Sequence, residues 1–322
     1  MTVRKRGMRS WIMWLALLAL PAWAGEDEVV LYPGYGDVRG AAVEGRVIER
    51  HESGEARVDD GSWRNLRRNA RLLKNDERGQ RPVTVTVASR EWETQSDDEG
   101  YFRVELDAAA PLAEGWHEVL ARSGDASGRG ELLVVPSANR SGLVSDIDDT
   151  ILVSEVNDKR RLLANSLLKN PAQRQAVAGT AGLYAQRGAL NPQPAAAPLF
   201  YLSASPRQLQ RPVGEFLQRN RFPAGVLLMK RVTDDDSSDP LLDQFAYKTR
   251  RIEEIFRRLP DVRFVLVGDD GERDPEIYDR VRRQHPGQVE AIWIRRVHPD
   301  PRRERYEGQR DLAEVLRQAA IR

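Results

Sequence analysis

Hydrophobic and polar residues follow two different patterns in the two parts of the chain. Between residues 29 and 136, short runs rich in valine and aromatic residues are bounded by Gly, Asp or Pro, which is typical of β-strands. These runs are residues 41–50, 81–90, 98–107, 115–123 and 130–136. They predict a small β-sandwich-like domain over residues 25–140.

After residue 140, strands that are apolar along their whole length alternate with helical stretches. The predicted strands are residues 143–148, 199–205, 225–230, 263–270 and 289–297. The predicted helices are residues 158–168, 209–220, 247–259, 275–285 and 310–320. This alternation predicts a parallel sheet covered by helices on both faces, in an α/β domain over residues 141–322. Ligands of such sheets bind at the carboxyl ends of the strands.

One helical stretch interrupts the β-rich part. In residues 62–77, Trp63, Leu66, Ala70 and Leu73 follow helical spacing, and Arg and Lys fill most of the other positions. The pattern has two interpretations. The helix either covers the sandwich with a solvated basic face, or it forms a basic amphipathic surface that contacts anionic lipid.

The first 24 residues have the pattern of a targeting segment. Residues 1–10 are basic, residues 11–20 are an apolar run that is short for crossing a bilayer, and Ala22 and Ala24 form an A-x-A cleavage pattern. We predict a signal peptide over residues 1–24, with an uncleaved anchor as the alternative. Both interpretations put the remainder of the chain outside the cytoplasm, as a periplasmic or secreted protein that is free or membrane-associated.

Composition narrows the chemistry. The chain has 322 residues with 50 Lys and Arg against 49 Asp and Glu, so its charge does not indicate a nucleic-acid partner. It has no cysteine. A disulfide framework and a thiol nucleophile are therefore excluded, and a metal site would need oxygen or imidazole ligands.

Carboxylates are concentrated where two of the apolar strands end. Asp146, Asp148 and Asp149 follow the first strand of the second part, and residues 269–270 with Asp274 follow a later one. Neighbouring carboxylates repel each other and are costly to bury, so the pattern favours a hard divalent cation between them. The EF-hand calcium pattern does not fit, because Thr150 and Ile151 occupy positions that need an acidic residue or Asn and a glycine. Turn and helix-cap aspartates are the structural alternative.

Two further segments complete a candidate site. Ser203 and Ser205 end another strand, and Pro206 opens the next helix, so hydroxyl and backbone N–H groups point into the same crevice. Lys248 begins a later helix. Considered alone, Lys248 is typical of a solvated helix lysine. Together, these groups are suited to a Mg²⁺-assisted attack on a phosphate ester.

These segments, taken in order, resemble the four motifs of the haloacid dehalogenase superfamily. They are the D-x-D-x-T pattern at residues 146–150, Ser203, Lys248, and residues 268–270 with Asp274. More closely, "SDIDDTI", "RRLLANSLLKNP", "FYLSASP" and "VGDDGERDPEIY" resemble the actin-patch-associated phosphatidate phosphatases, which are related to the lipins. The resemblance covers about residues 140–298 and implies a haloacid-dehalogenase-like Rossmannoid fold. The chain departs from that family at Arg207, where an aromatic residue would follow "SASP".

The resemblance implies a role for each residue. Asp146 would be the nucleophile that forms an aspartyl-phosphate, and Asp148 would be the general acid and then the general base. Lys248 would complete the catalytic set by neutralising charge shared between Asp146 and the phosphate. The phosphoryl oxygens would be bound by three residues: Thr150, Ser203 and Ala204.

The same resemblance implies Mg²⁺ as the cofactor. Its ligands would be Asp146, the carbonyl of Asp148, and Asp269. Asp270 and Asp274 would lie next to these ligands, one as a further ligand and the other as a supporting residue, and the family spacing favours Asp274 as the supporting acid.

The catalytic residues do not choose the substrate. About fifty residues separate the first two motifs, which is thin for a full cap domain, so an open crevice would admit a membrane-resident headgroup. With the resemblance and the basic helix, this predicts a Mg²⁺-dependent phosphatase that hydrolyses phosphatidate to diacylglycerol and phosphate, with peripheral membrane contact. The alternatives are a phosphatase of a soluble or protein-linked phosphomonoester, and a non-catalytic scaffold. The sequence does not identify a partner of the β-rich domain.

Overall fold

The computed structural model describes most of the chain. The described residues are 27–49, 79–107, 111–153, 175–232, 239 and 243–321. Three sequence predictions lie outside them, namely the signal peptide over residues 1–24, the basic helix over residues 62–77 and the helix over residues 158–168. The described residues form two β-sheets, one in each part of the chain.

The first sheet has seven strands. They are β1 (Asp27–Asp37), β2 (Gly40–Glu49), β3 (Pro82–Val87), β4 (Arg90–Gln95), β5 (Tyr101–Asp107), β6 (Gly115–Ser123) and β7 (Ala126–Val134). Their order is β4-β3-β6-β7-β1-β2-β5. The pair β1 and β7 is parallel and the other neighbouring pairs are antiparallel, so the sheet is mixed.

This sheet curls around a single apolar core. Its inward-facing side chains include Val43, Val85, Val104, Val119 and Leu132, which belong to five different strands and form one cluster. The edge strands β4 and β5 also contact each other, so the sheet is a nearly closed barrel. The predicted β-sandwich was therefore wrong. Alternation of apolar and polar residues predicts one buried face per strand, and it does not distinguish two packed sheets from one curled sheet.

The second sheet has six strands and is covered by helices. The strands are β8 (Ser141–Asp146), β9 (Leu199–Pro206), β10 (Val226–Lys230), β11 (Arg263–Asp269), β12 (Val289–Arg295) and β13 (Gln309–Asp311). The helices are α1 (Thr180–Gly188), α2 (Gln210–Arg219), α3 (Gln244–Arg258), α4 (Asp274–Gln284) and α5 (Leu312–Ala319). The strand order is β10-β9-β8-β11-β12-β13, and each neighbouring pair is parallel.

Apolar side chains lie on both faces of the second sheet. Helices α3 and α4 contribute to one cluster, and helices α1, α2 and α5 contribute to the other. Among the described helices, none has the length and apolar character needed to cross a membrane. Strands of this kind are apolar throughout because both of their faces are buried.

The predicted fold class was wrong in both of the folds it named, although the predicted parallel sheet covered by helices on both faces is present. It combined a separate β-sandwich with a haloacid-dehalogenase-like Rossmannoid domain. The structure has instead a nearly closed mixed sheet and a parallel sheet, and this combination does not support the haloacid dehalogenase assignment. Apolar strands that alternate with helices predict a covered parallel sheet, but they specify neither the strand order nor a superfamily.

The two sheets share one core. Tyr35, Leu133 and Val135 from the first part of the chain belong to the same apolar cluster as Phe200 and Phe264 of the second sheet. The ring edge of Tyr35 packs against Phe200, with 5.0 Å between the ring centres. The first sheet is therefore packed against the second and is not a distant appendage.

Candidate active site

The carboxyl ends of three neighbouring strands bring the candidate residues together. Strand β8 ends at Asp146, β11 ends at Asp269, and β9 ends with residues 203–206. Because β8 lies between β9 and β11 and all three are parallel, these ends meet at one edge of the sheet.

A group of buried ionisable side chains lies at this edge, and we call it the acidic centre. Its members are Asp146, Lys248, Asp269, Glu272 and Asp274. Carboxylate oxygens of the three aspartates lie within 4.8 Å of one another. The Lys248 Nζ atom is 2.8 Å from Asp146 Oδ1, 2.6 Å from Asp274 Oδ1 and 3.4 Å from Glu272 Oε2. One lysine thus pairs with three of the four carboxyl groups.

Burial and mutual repulsion control protonation in the acidic centre. Burial raises the pKa of Asp146 well above its usual range, Lys248 opposes the shift, and Asp274 adds to it. Burial, followed by the Asp274 charge, likewise raises the pKa of Asp269. Burial would lower the pKa of Lys248, but the Asp146 and Asp274 carboxylates outweigh it and raise that pKa well above its usual value. The lysine therefore stays charged, while the carboxylates lack sufficient positive charge.

The acidic centre fits a divalent cation. Among the described residues, none donates a hydrogen bond to Asp146 Oδ2, although this oxygen is buried. A buried carboxylate oxygen without a partner is costly, and three clustered aspartates supply the oxygen ligands that hard cations prefer. The observed shortage of positive charge points to the same conclusion.

Asp274 belongs to the acidic centre and Asp270 does not. Asp274 is the first residue of α4, and its Oδ2 atom accepts a hydrogen bond from the Asp269 backbone at 3.3 Å. The carboxylate of Asp270 instead accepts from the backbone N–H groups of Val297 and His298, at 2.6 and 2.7 Å. Asp270 therefore organises the segment after β12, and Asp274 lies in the same cluster as Asp146 and Asp269.

A glycine makes room for this arrangement. A Cβ atom at Gly268 would lie 2.4 Å from Asp274 Oδ2 and 2.7 Å from the Asp274 Cβ atom. Both distances are too short for any side chain, so the approach of α4 to the end of β11 requires glycine at this position.

The Asp148 carboxylate faces two serine hydroxyl groups. Ser203 and Ser205 donate to Asp148 Oδ2 at 3.0 and 3.2 Å. The Ser205 backbone N–H in turn donates to Ser203 Oγ at 3.0 Å. The Asp148 carboxylate is half-buried and lies outside the cluster of possible metal ligands, which agrees with a role for its side chain other than metal binding.

The remaining predicted residues lie around this pair of sites. Thr150 is buried, and its hydroxyl is 3.5 Å from Asp269 Oδ2. Ala204 lies between the two serines at the end of β9 and is half-buried. Asp149, just before Thr150, adopts a left-handed conformation with a φ of 57°, and the Arg295 guanidinium donates to its carbonyl. The tight turn after β8 is thus held from β12.

Sequence reasoning missed Glu272 and did not give Ser205 a role. Glu272 accepts hydrogen bonds from Gln244 at 3.0 Å and from Lys248 at 3.4 Å. Glu272 lies three residues after the end of β11, and this position could have indicated that its side chain lies at the same edge of the sheet. Ser205 is two residues beyond Ser203 in a strand, so the period of two already predicted that both hydroxyls point to the same side.

Arg207 does not reach the crevice. It is buried, its Nε donates to the Met229 carbonyl at 3.0 Å, and its Nη2 lies 2.5 Å from Glu44 Oε2 in the first sheet. Its guanidinium also lies over the ring of Tyr32, 4.7 Å from the centre. The residue in place of the expected aromatic side chain therefore connects the two sheets.

The part of the chain that contains this site is similar to known proteins. Residues 141–296 match the family model of the phosphatidate phosphatase APP1 catalytic domain. Phosphatidate phosphatase APP1 of Saccharomyces cerevisiae is 32% identical over 154 residues, which are 48% of this chain and 25% of that protein. An uncharacterized protein of Schizosaccharomyces pombe is 28% identical over 168 residues, 52% of this chain and 27% of its own length. The chain thus matches about a quarter of the length of these relatives.

Solved structures give only distant likenesses. A carbohydrate acetylesterase from Xanthomonas citri has a TM-score of 0.31 and 9% sequence identity, covering 90% of this chain and 71% of that chain. A β-glucuronidase from Bacteroides uniformis has a TM-score of 0.25 and 8% identity, covering 92% of this chain and 38% of its own. Likenesses this weak carry no argument about function.

Proposed function

We propose that the chain hydrolyses phosphatidate to diacylglycerol and inorganic phosphate, because residues 141–296 match the family model of the phosphatidate phosphatase APP1 catalytic domain. One observation carries the proposal beyond the family match. The carboxylate of Asp146 has one oxygen 2.8 Å from the Lys248 ammonium group and a second, buried oxygen to which no described residue donates. This is the arrangement expected of an oriented carboxylate nucleophile.

In the proposed first step, Asp146 attacks the phosphorus atom of the ester. A bond forms between the carboxylate oxygen and phosphorus, and the bond between phosphorus and the diacylglycerol oxygen breaks. Asp148 gives its proton to that leaving oxygen. In the second step Asp148 takes a proton from water, which attacks the aspartyl-phosphate and releases inorganic phosphate while restoring the Asp146 carboxylate.

Three groups support the proposed positions of these two aspartates. Lys248 holds Asp146 and would neutralise part of the charge of the entering phosphate. The Ser203 and Ser205 hydroxyls hold one oxygen of Asp148. Thr150 and the backbone at Ala204 would donate to the phosphoryl oxygens.

We propose Mg²⁺ as the cation of the acidic centre. Asp146 and Asp269 would hold it with the Asp148 carbonyl, and Asp274 would support them from within the same cluster. A bound cation would lower the charge of the carboxylates and of the phosphoryl oxygens. The raised carboxylate pKa values support a requirement for a cation, and the choice of Mg²⁺ follows from its preference for oxygen ligands.

The test is release of inorganic phosphate from phosphatidate in mixed micelles and from a soluble aryl phosphate. Each substrate is assayed with Mg²⁺ and with chelator, and Asp146→Asn is the matched variant. We expect Mg²⁺-dependent release that is faster from phosphatidate and that Asp146→Asn abolishes. Release from the aryl phosphate alone would favour a soluble phosphomonoester. Equal release by Asp146→Asn would reject Asp146 as the nucleophile, and no release by the folded protein would favour the scaffold.

A further inference from the structure

The first sheet contacts the ends of β9 and β10 through two arginines. Arg207 directly follows β9, and Arg231 directly follows β10. The Arg207 guanidinium lies 4.7 Å from the ring centre of Tyr32, and the Arg231 guanidinium lies 4.1 Å from that of Tyr101. The two tyrosine rings stack on each other with centres 6.3 Å apart. Both strand ends are therefore held at one aromatic pair of the first sheet.

Each arginine also has a carboxylate partner in the first sheet. Arg207 lies 2.5 Å from Glu44, and Arg231 lies 2.7 Å from Asp97. The first contact is the more buried, because the side chains of Arg207 and Glu44 are 8% and 21% exposed, whereas that of Asp97 is 44% exposed. Buried charge pairs of good geometry hold their partners more rigidly than exposed pairs, so the Glu44 contact is the stronger restraint.

Glu44 remains ionised under all ordinary conditions. Burial by itself would raise the pKa of Glu44, but the charges of Arg207, Arg251 and Arg103 outweigh it and lower the pKa to about 2. Arg103 also pairs directly with Glu44. Glu44 is therefore ionised and can pair with Arg207 at physiological pH.

The restraint on Arg207 acts next to the candidate active site. Ser203 and Ser205, which donate to Asp148, lie only four and two residues before Arg207. Pro206 lies between them and has a restricted φ of −60°, which makes the connection stiff. Gln210 adds a second tether by donating to the Leu31 carbonyl of β1 at 3.3 Å. A shift of Arg207 would therefore move both serine hydroxyls.

We propose that Glu44 is a positioning residue of the phosphatase reaction. Through Arg207 it holds the carboxyl end of β9, so that Ser203 and Ser205 keep Asp148 in place for proton transfer. The inference rests on the proposed function, because the role of Asp148 comes from it. The first sheet then contributes to catalysis without touching the substrate.

The experiment compares Glu44→Gln with Glu118→Gln. Glu118 is the matched control, because it is also a glutamate of the first sheet paired with an arginine, Arg129, but it lies on an exposed face. Both variants are assayed for kcat and KM of phosphate release from phosphatidate with Mg²⁺, and for hydrogen exchange of peptides covering residues 199–209. We expect Glu44→Gln to lower kcat at least about tenfold with KM changed less than about twofold, because displaced catalytic groups slow the chemical step. Exchange should accelerate over residues 203–207, and the control should behave like the wild type.

A second variant separates positioning from general destabilisation. Arg207→Gln removes the other half of the contact, so Glu44→Gln combined with Arg207→Gln should be no slower than either single variant. A folded Glu44→Gln protein with kcat within twofold of the wild type would overturn the proposal. A loss of kcat accompanied by equally faster exchange throughout the chain would also overturn it, since Glu44 would then be only structural.

Failure of the proposed function gives a different result. If the wild type acts only on the aryl phosphate, the substrate proposal fails, and the kcat comparison is made on that ester. If the wild type releases no phosphate from either substrate, the proposed function fails. The hydrogen-exchange comparison then decides alone whether Glu44 holds the end of β9.

Discussion

The molecule has two charge clusters of opposite composition, one at the carboxyl ends of the parallel strands and one between the two sheets. In the acidic centre, four carboxyl groups share one lysine, Lys248, and burial with mutual repulsion raises the pKa of Asp146. Between the sheets, Glu44 lies among Arg103, Arg207 and Arg251, whose charges lower the pKa of Glu44 to about 2 despite its burial. We call these last four residues the inter-sheet cluster.

The difference separates a structural cluster from a functional one. In the inter-sheet cluster, Glu44 pairs with Arg103 and Arg207. Arg103 and Arg251 also pair with Glu254, and Arg251 lies 3.8 Å from Asp239, so three arginines face three carboxylates and the charges are balanced. The acidic centre has more negative charge than its lysine can balance, and a cation from solution would correct this. Burial alone therefore does not distinguish the two roles, whereas the ratio of acids to bases does.

The largest expected effect is that of Lys248→Met. It leaves several buried carboxylates without their cation, and breaking a buried pair by removing one partner costs about 3–5 kcal/mol. Urea unfolding should show this loss, and phosphate release should fall by at least about a thousandfold. Unchanged stability would mean that the carboxylates are neutralised by protonation and that the comparison between the two clusters is wrong.

Glu44→Gln should lower stability by up to about 3 kcal/mol at pH 7, from the difference between the usual pKa of 4.5 and about 2 in the folded state. Because the folded pKa lies below the unfolded one, this stabilisation is complete above about pH 4.5. It is lost as the pH falls towards 2. Urea unfolding of both proteins across this range tests the sign, and a gap that widens in acid would contradict it.

Divalent cations should stabilise the protein through the acidic centre. Mg²⁺ at about a hundred times its Kd would add about 2.7 kcal/mol to the free energy of unfolding. Thermal unfolding with Mg²⁺ and with chelator measures this gain. Asp269→Asn should abolish it and Glu44→Gln should leave it intact. A gain that survives Asp269→Asn would place the cation elsewhere.

Asp146→Asn should have the opposite sign from Glu44→Gln. The pKa of Asp146 is raised on folding, mainly by burial, so its ionised form destabilises the folded protein as the pH rises above its usual value. Urea unfolding in chelator at pH 7 should therefore show a higher free energy of unfolding for Asp146→Asn than for the wild type. A decrease would show that the Lys248 contact outweighs the cost of burial.

The smallest effect should come from Glu118→Gln. The pair of Glu118 with Arg129 is exposed at both ends, with side chains 58% and 76% accessible. Exposed pairs contribute about 0–1 kcal/mol and weaken in salt. Urea unfolding at low and high salt should show less than 1 kcal/mol of change. A larger loss of unfolding free energy would mean that exposed charge pairs stabilise this protein as much as buried ones do.

The sequence allowed the neighbourhood of the candidate site to be predicted. Apolar runs located β8 and β11, and the rule that parallel strands present their carboxyl ends together predicted that Asp146 and Asp269 are close. The preference for Asp274 over Asp270 as the supporting acid came from the family resemblance and not from the local pattern. The position of Asp274 depends on where α4 begins and on the space left by Gly268, and neither is visible in a local pattern.

The other wrong predictions concern residues and strands whose partners lie far away in the sequence. Arg207 is buried because Glu44, more than 160 residues earlier in the chain, lies beside it. The nearly closed first sheet likewise depends on contact between β4 and β5, which the alternating pattern of either strand does not encode. Local sequence predicts which face of a strand is buried, and the fold decides what buries it.

The core shared by the two sheets has a consequence for how this protein could be divided. The matched family segment begins at residue 141, but Tyr35, Leu133 and Val135 fill the same apolar cluster as Phe200. A polypeptide that begins at that boundary would expose apolar surface of this cluster and would lack Glu44, the carboxylate partner of Arg207. The segment that the family model matches is therefore smaller than the part of the chain that we expect to unfold cooperatively. Calorimetry should record the unfolding of both sheets as a single transition.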